Sequence, residues 1–403
     1  MAYSGITLKE YYCLKSKESF SLDPWIDGDQ FFGDTLLAER IKKRIESDFV
    51  QARGVPKFIV HGGWGSGKTH TLAHIKYILE QSKMYHSEPV YLDIAPLGTK
   101  ERWQRIHNRL VDAIGLERVQ KTTEVVAEKI RGADKVEGLM KNNILPFGDD
   151  TLKNSQANVL RNMLFGGRQM QLSWEWLKGS RNSPDQAVTI GVQKDLTEPS
   201  DFVNCLLNIG SMYQYGNNGK QLVLLVDEAE ALRSITTPDS FNEIIHMLRM
   251  LLENNSHTYV GIILAVQSEA GMEDMGELFG REDIRRRLDY DQGYIDLESA
   301  ISRVEDAERF IYQTLNYLVD QEKADSIVKA ESLATSNQEF PFTKEAINAL
   351  SNHVASTPGA ATPAFILSKM SSAAIEAWRR RDTSKAHILV DNEIIEETIF
   401  PEG

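Results

Sequence analysis

The chain has 403 residues, 41% of them hydrophobic, and a formal net charge of −13 at pH 7. That length supports two to three structural units, and the acidic balance argues against a surface that coats nucleic acid throughout, leaving only local basic patches for such contact. No run approaches the roughly 18 apolar residues of a membrane span, the N-terminus MAYSGITLKEYYC lacks a basic region followed by an apolar stretch, and Cys13 and Cys205 lie far apart outside any disulfide or zinc spacing, so a cytoplasmic protein with two reduced, buried thiols is expected.

From Ser21 to about Val50, a loop rich in Asp, Gly and aromatics leads into a helical pattern at Leu36, Leu37, Arg40, Ile41 and Ile45. The apolar run Lys57 to His61 then reads as a strand, Gly62 to Thr69 spell GGWGSGKT, and Thr69 to Leu79 read as an amphipathic helix. A G-x-x-x-x-G-K-[ST] string between a strand and a helix is the setting a phosphate-binding loop requires. A second strand, Pro89 to Ile94, completes a βαβ unit. Residues 98 to 215 read as a helical insertion, because loops of that length are rarely structureless. The sheet resumes at Gln221 to Val226, a continuous apolar run suited to burial on both faces. A helix over 239 to 254 follows, then a strand over 259 to 266 and a last strand over 293 to 297. From about 303 onward the spacing of Phe310, Ile311, Leu315 and Leu318, and later of Ile366, Leu367, Met370 and Ile375, is helical. The expected fold is therefore α/β, a P-loop NTPase with a three-layer parallel sheet, a helical insertion and a C-terminal α-helical lid. Its expected parts are an N-terminal segment (1–50), a nucleotide-binding domain (51–302) and the lid (303–403).

Glycines at 62, 63, 65 and 67 permit backbone conformations a Cβ forbids, so that successive N–H groups converge on phosphate oxygens at a helix N-terminus. The expected nucleotide-binding set is Gly62, Gly63, Trp64, Gly65, Ser66, Gly67, Lys68, Thr69 and His70, with ATP and Mg²⁺ as cofactors. Lys68 reaches the β- and γ-phosphates and the Thr69 hydroxyl holds the metal. Such chemistry also needs a carboxylate for the metal and a group that polarises the attacking water, both at the end of a neighbouring strand. Asp227 and Glu228 follow the buried strand and take these two roles; the blander reading is an acidic helix start. Gln267, followed by Ser268 and Glu269, ends the next strand and is a candidate sensor of the γ-phosphate, with a plain turn residue as the alternative. Arg281 to Leu288 carries Arg285, Arg286 and Arg287. Arg286 and Arg287 are candidates for a finger delivered to a neighbouring copy, against a solvated helix end helped by the macrodipole.

Taken together, GGWGSGKT, LLVDEAEAL, the strand ending at Gln267, the arginine group and the helical tail resemble the AAA+ ATPases, in the origin-recognition-like, STAND-related branch. The Trp176-Leu177-Lys178-Gly179 segment, followed about forty residues later by the run from Gly219 to Glu230, is more narrowly similar to ATP-binding proteins of BREX phage-defence systems. The resemblance implies an ATPase that forms homo-oligomers and regulates or assembles protein partners around DNA; a nucleotide-gated scaffold with weak hydrolysis and a transposition-type regulator on DNA are the alternatives. Two departures stand out. The origin-recognition branch carries a lid arginine in a Gly-x-Pro-Arg-like setting, whereas here Ala364 follows Thr362-Pro363, so the sensor is absent or moved, with Lys369 as the substitute. Only about twenty residues follow Arg379-Arg380-Arg381, too few for a winged-helix DNA-binding domain. Two basic clusters, Arg40, Lys42, Lys43, Arg44 and Trp378-Arg379-Arg380-Arg381, offer either phosphate contacts or ordinary solvated surface beside Glu39, Glu46, Asp48 and Asp382.

Overall fold

The computed structural model describes residues 6–50, 54–94, 103–130, 138–139, 143–234, 238–253, 259–267, 279, 281–288, 294–357, 359–381 and 387–399. Ser268, Glu269, Gly293, Asp382, residue 254 of the helix read over 239 to 254, and parts of the 98–215 insertion lie outside the described residues. The chain forms two compact units that do not follow it in order: one holds residues 1–40, 62–74 and 296–403, the other 41–61 and 75–295.

The second unit is built on a sheet. Its strands are β1 (Lys57–Gly62), β2 (Ser87–Asp93), β3 (Gln221–Asp227), β4 (Val260–Gln267) and β5 (Tyr294–Asp296), in the order β2-β3-β4-β1-β5. β2 and β3 pair in parallel with Tyr91 opposite Leu225 and Asp93 opposite Asp227. β3 and β4 also pair in parallel, with Val226 opposite Leu264. The N–H of Ile262 donates to Pro56 O at 2.9 Å, so β1 starts beside the start of β4. Leu222 to Val226 are all buried, as a strand covered on both faces must be.

Helices α4 (Trp103–Ile114), α5 (Leu116–Lys129), α6 (Asp150–Asn162), α7 (Gly167–Leu177), α8 (Pro184–Ile190) and α9 (Pro199–Gly216) make up the insertion. Side-chain caps set two of their starts: Asp149 accepts from the N–H of Leu152 at 2.7 Å, and Ser183 forms a capping box with Gln186. The insertion shares one hydrophobic core with the sheet, running from Ile59, Val90 and Leu224 to the fully buried Trp176 and Phe202. Gly210 explains how α9 lies so close to β4: a Cβ there would collide with the Val260 side chain and sit 3.1 Å from Tyr259 O. α10 (Pro238–Leu252) and α11 (Glu282–Arg287) complete this unit.

The first unit is helical. α12 (Val304–Leu318), α13 (Gln321–Glu331), α14 (Lys344–Ser356), α15 (Pro363–Arg379) and α16 (Asn392–Ile399) share a core with the N-terminal residues Tyr11, Tyr12 and Phe20, which are 0–1% exposed. Hydrogen bonds repeat the association: Tyr12 OH donates to Ile388 O at 2.9 Å, the N–H of Ile388 donates to the Tyr11 phenol at 2.9 Å, and Ser371 Oγ donates to Phe20 O at 2.9 Å. The first forty residues therefore group with the helical tail rather than with the sheet, because three large aromatic side chains near the N-terminus are buried there. α2 (Thr35–Val50) and α3 (Lys68–Gln81) each span the division between units.

Candidate active site

In the helical unit, the loop that follows β1 has the backbone its glycines were expected to allow. Gly65 and Gly67 adopt φ of +75° and +94°, a region that strains any residue with a Cβ. At Gly62 a Cβ would lie 2.5 Å from Ser66 Oγ, so the loop closes tightly only over a glycine. Lys68 Nζ donates to Gly62 O and to Gly63 O, each at 3.0 Å, which holds the ammonium over the loop it would serve. α3 begins at Lys68, and its opening N–H groups and dipole face the loop. Trp64 is 78% exposed, so what it offers an anion is its backbone N–H. Thr69 sits in the first turn of α3.

His70 lies in the expected binding set, and its ring has a structural duty. Nε2 hydrogen-bonds Gln30 O at 2.9 Å, and one turn later His74 Nδ1 hydrogen-bonds Gly28 O at 2.9 Å. Both carbonyls accept, so both rings donate N–H, and burial pulls both pKa values below the ordinary histidine value. These bonds fasten the segment 23–33 to α3. Gly28 makes that possible, since a Cβ would stand 2.6 Å from Pro24 O and 3.0 Å from Ala73 Cβ. The buried Asp27 fixes the segment from the other side, accepting from the N–H of Asp23 at 2.6 Å and from Tyr317 OH at 3.1 Å, with Lys17 Nζ at 3.1 Å.

The start of α15 also meets the loop. Thr362 caps this helix, its Oγ1 accepting from the N–H of Phe365 at 3.2 Å, and the N–H of Ala364 donates to Gly65 O at 3.3 Å. A Cβ on Gly65 would be 2.8 Å from Ala364 Cβ. Ala364 thus stands against the loop where the resemblance leads one to expect an arginine. Lys369 does not take that place: its Nζ donates to Thr398 O at 2.8 Å and lies 5.4 Å from the Phe365 ring.

In the sheet unit, the acidic pair ends β3. Asp227 is 3% exposed, whereas Glu228 is exposed. Glu228 adopts φ of +52°, left-handed backbone that costs a non-glycine residue about 1 kcal/mol. Two hydrogen bonds hold this turn: the N–H of Glu228 donates to Asp227 Oδ1 at 2.9 Å, and Glu228 O accepts from the N–H of Ala231 at 2.9 Å. The other oxygen, Asp227 Oδ2, accepts from Tyr91 OH on β2 at 3.0 Å. Burial, and then the negative charge of Asp227, push the Tyr91 phenol far above its ordinary pKa, so it stays a neutral donor. Gln267 ends β4, and its backbone N–H donates to Glu230 Oε2 at 2.9 Å. Glu230, given no role from the sequence, therefore ties the end of β4 to the 3₁₀ turn Ala229–Ser234.

Thr69 in the helical unit and Asp227 in the sheet unit each carry hard oxygen donors, the kind Mg²⁺ takes. Among the described residues, no group of three or more His, Cys, Asp or Glu side chains is arranged to hold a metal by itself.

The arginines of the 281–287 group differ in their partners. Asp283 engages both Arg249 and Arg281, and Arg287 Nη1 donates to Asp283 O at 2.8 Å. The Arg286 side chain is 75% exposed, with a 3.0 Å contact to the equally exposed Glu282. The basic clusters are also partly committed. Arg44 is buried, 3.0 Å from Asp48 and from Lys57 O, so only Arg40, Lys42 and Lys43 of its cluster face solvent. Arg381 stacks 3.7 Å from the Trp378 ring, and Arg380 pairs with Glu376 and Glu397.

The fold is thus α/β, a sheet with parallel β2, β3 and β4 flanked by helices, with the glycine-rich loop between β1 and α3. No protein-family profile matches the chain, and no curated protein matches it. Among solved structures it is similar to a Walker-type ATPase of Pyrococcus abyssi, with 14% identity and a TM-score of 0.35 over 94% of this chain and 75% of that one. No helix among the described residues is long and apolar enough to cross a membrane.

Proposed function

We propose that the protein binds ATP with Mg²⁺ and hydrolyses it. The observation that carries this reading is the loop itself, left-handed at Gly65 and Gly67 and closed by Lys68 Nζ on the carbonyls of Gly62 and Gly63. Its N–H groups would cradle the phosphates, Lys68 would neutralise the β- and γ-oxygens, and Thr69 and Asp227 would hold Mg²⁺ directly and through water. The metal, when bound, polarises the phosphate and offsets its charge. Glu228, exposed at the strand end, would orient and deprotonate the attacking water, with Gln267 as γ-phosphate sensor. Mg²⁺-dependent phosphate release by the purified chain, lost in Lys68→Ala, is the expected result; release unchanged in that variant would refute the reading.

The resemblance to AAA+ ATPases supports a finer proposal, a cytoplasmic, oligomeric regulator that works with protein partners of a DNA-associated phage-defence system. The exposure of Arg286 favours it over Arg287 as the residue that reaches a neighbouring copy. Mass in solution with ADP, with ATP and with ATP plus duplex DNA tests this; growth to a defined assembly with ATP is expected, and a monomer in every condition would contradict it. A second reading has its own observation. Ala364, not an arginine, lies against the loop, which favours a switch that binds ATP tightly and hydrolyses it slowly until a partner completes the site. Rapid turnover by the isolated chain would exclude it.

A further inference from the structure

We propose that Tyr91 is a positioning residue for the metal-binding carboxylate, holding Asp227 in the single orientation that a hydrated Mg²⁺ requires. The inference rests on the ATP and Mg²⁺ reading above and deepens it. Side chains alternate along a strand, so Tyr91 and Asp93 share a face of β2, as Leu225 and Asp227 share a face of β3. The register sets Tyr91 opposite Leu225 and Asp93 opposite Asp227, which puts all four on one face. A tyrosine two residues before the end of β2 is long enough to reach along that face, and its hydroxyl meets Asp227 Oδ2 at 3.0 Å.

The rest of the geometry gives this contact a purpose. Oδ1 accepts from the N–H of Glu228 at 2.9 Å, so a separate donor fixes each carboxylate oxygen. Both donors are neutral. A lysine or arginine in the place of Tyr91 would fix the group equally well but cancel the charge that a divalent cation needs; a phenol orients it and leaves that charge in place. The Glu228 bond also closes the left-handed turn that aims the exposed Glu228 side chain, so the rotamer of Asp227 sets the geometry of metal ligand and water-activating group together. A phenol suits this task because its ring has few torsions to freeze and is half-buried between strand and solvent.

Tyr91→Phe removes the hydroxyl and keeps the ring, and its effect is read by titrating Mg²⁺ at fixed fluorescent ATP analogue and again at saturating ATP in a phosphate-release assay. Expected are unchanged affinity for the analogue in EDTA and an unchanged melting curve without metal. The Mg²⁺ concentration at half effect should rise about tenfold in both assays, the size of one hydrogen bond to a charged group, and high Mg²⁺ should restore the rate. A role confined to packing would shift the melting curve and leave the metal dependence alone, which overturns the proposal, as does a Mg²⁺ titration identical to the parent. Tyr91→Ala, which also removes the ring, should add a loss of stability to the same metal defect. If the parent protein binds no ATP at all, the nucleotide reading fails and this inference fails with it; a Mg²⁺-dependent parent with an indifferent Tyr91→Phe overturns only the role of Tyr91.

Discussion

The glycine-rich loop after β1 and the acidic end of β3 are built by opposite means. The loop is a backbone device: its shape comes from glycines at 62, 65 and 67, two of them at positive φ, and its lysine is held by carbonyls five and six residues away. The end of β3 is a side-chain device, assembled by a phenol 136 residues upstream and, at Glu230, by an N–H 37 residues downstream. Parts of the first kind are carried by a short run of sequence. Parts of the second kind exist only once a register is set, and they fail through neighbours that no motif names.

Substitutions can test this contrast from the largest effect down. Lys68→Ala attacks the loop at its charge and should weaken ATP binding more than about 100-fold, since the charge-assisted contact that Lys68 would make to phosphate is lost; calorimetric titration measures it, and affinity within threefold of the parent would break the contrast. Glu228→Gln should leave ATP binding intact and slow hydrolysis about 100-fold, the usual scale of a lost general base. Equal loss of binding and turnover would mean that the two devices are not separable.

Acid should destabilise the scaffold of the sheet unit. His107 on α4 is fully buried, with Nε2 donating to Leu177 O at 2.8 Å, and burial lowers its pKa from 6.5 to about 4. Between those values the unfolded chain binds the extra proton, so stability is present above pH 6.5 and falls as the pH drops toward 4, by about 3 kcal/mol. Denaturant melts at pH 7, 5.5 and 4.5 should show the fall, and His107→Gln, which keeps an N–H donor without titrating, should flatten it. Glu228→Gly relieves the left-handed backbone and should stabilise the sheet unit by about 1 kcal/mol while abolishing hydrolysis, a trade visible in melts run beside the phosphate assay. Smallest of all, Arg286→Ala should change stability by less than about 0.5 kcal/mol, whereas Arg287→Ala, which frees Asp283 O, should cost about 1 kcal/mol. A defect in Arg286→Ala that appears only in assembled protein would mark it as the finger.

Much of the architecture was legible. The alternation of apolar runs and helical periods gave an α/β fold, and Leu222 to Val226 read correctly as a strand buried on both faces. The strand, glycine-rich loop and helix from Lys57 to Gln81 were legible because they are consecutive in the sequence. The grouping of residues 1–40 with the helical tail was not, since the aromatic side chains of Tyr11, Tyr12 and Phe20 carry no signal of which core receives them. Tyr91 stood inside a strand already read from the sequence, at even spacing from Asp93, but only the β2–β3 register shows that it meets Asp227. The basic run at 40–44 shows the same limit: Arg44 faces inward toward Asp48 and Lys57, and a helix's inward face is decided by its neighbours.

The meeting of Gly65 with Ala364 makes two distant positions a single unit of inheritance. A side chain at 65 is refused twice, by the hand of the backbone at φ +75° and by the methyl group waiting 2.8 Å away. Shrinking residue 364 to glycine would lift only the second refusal, so position 65 stays fixed as glycine whatever stands at 364.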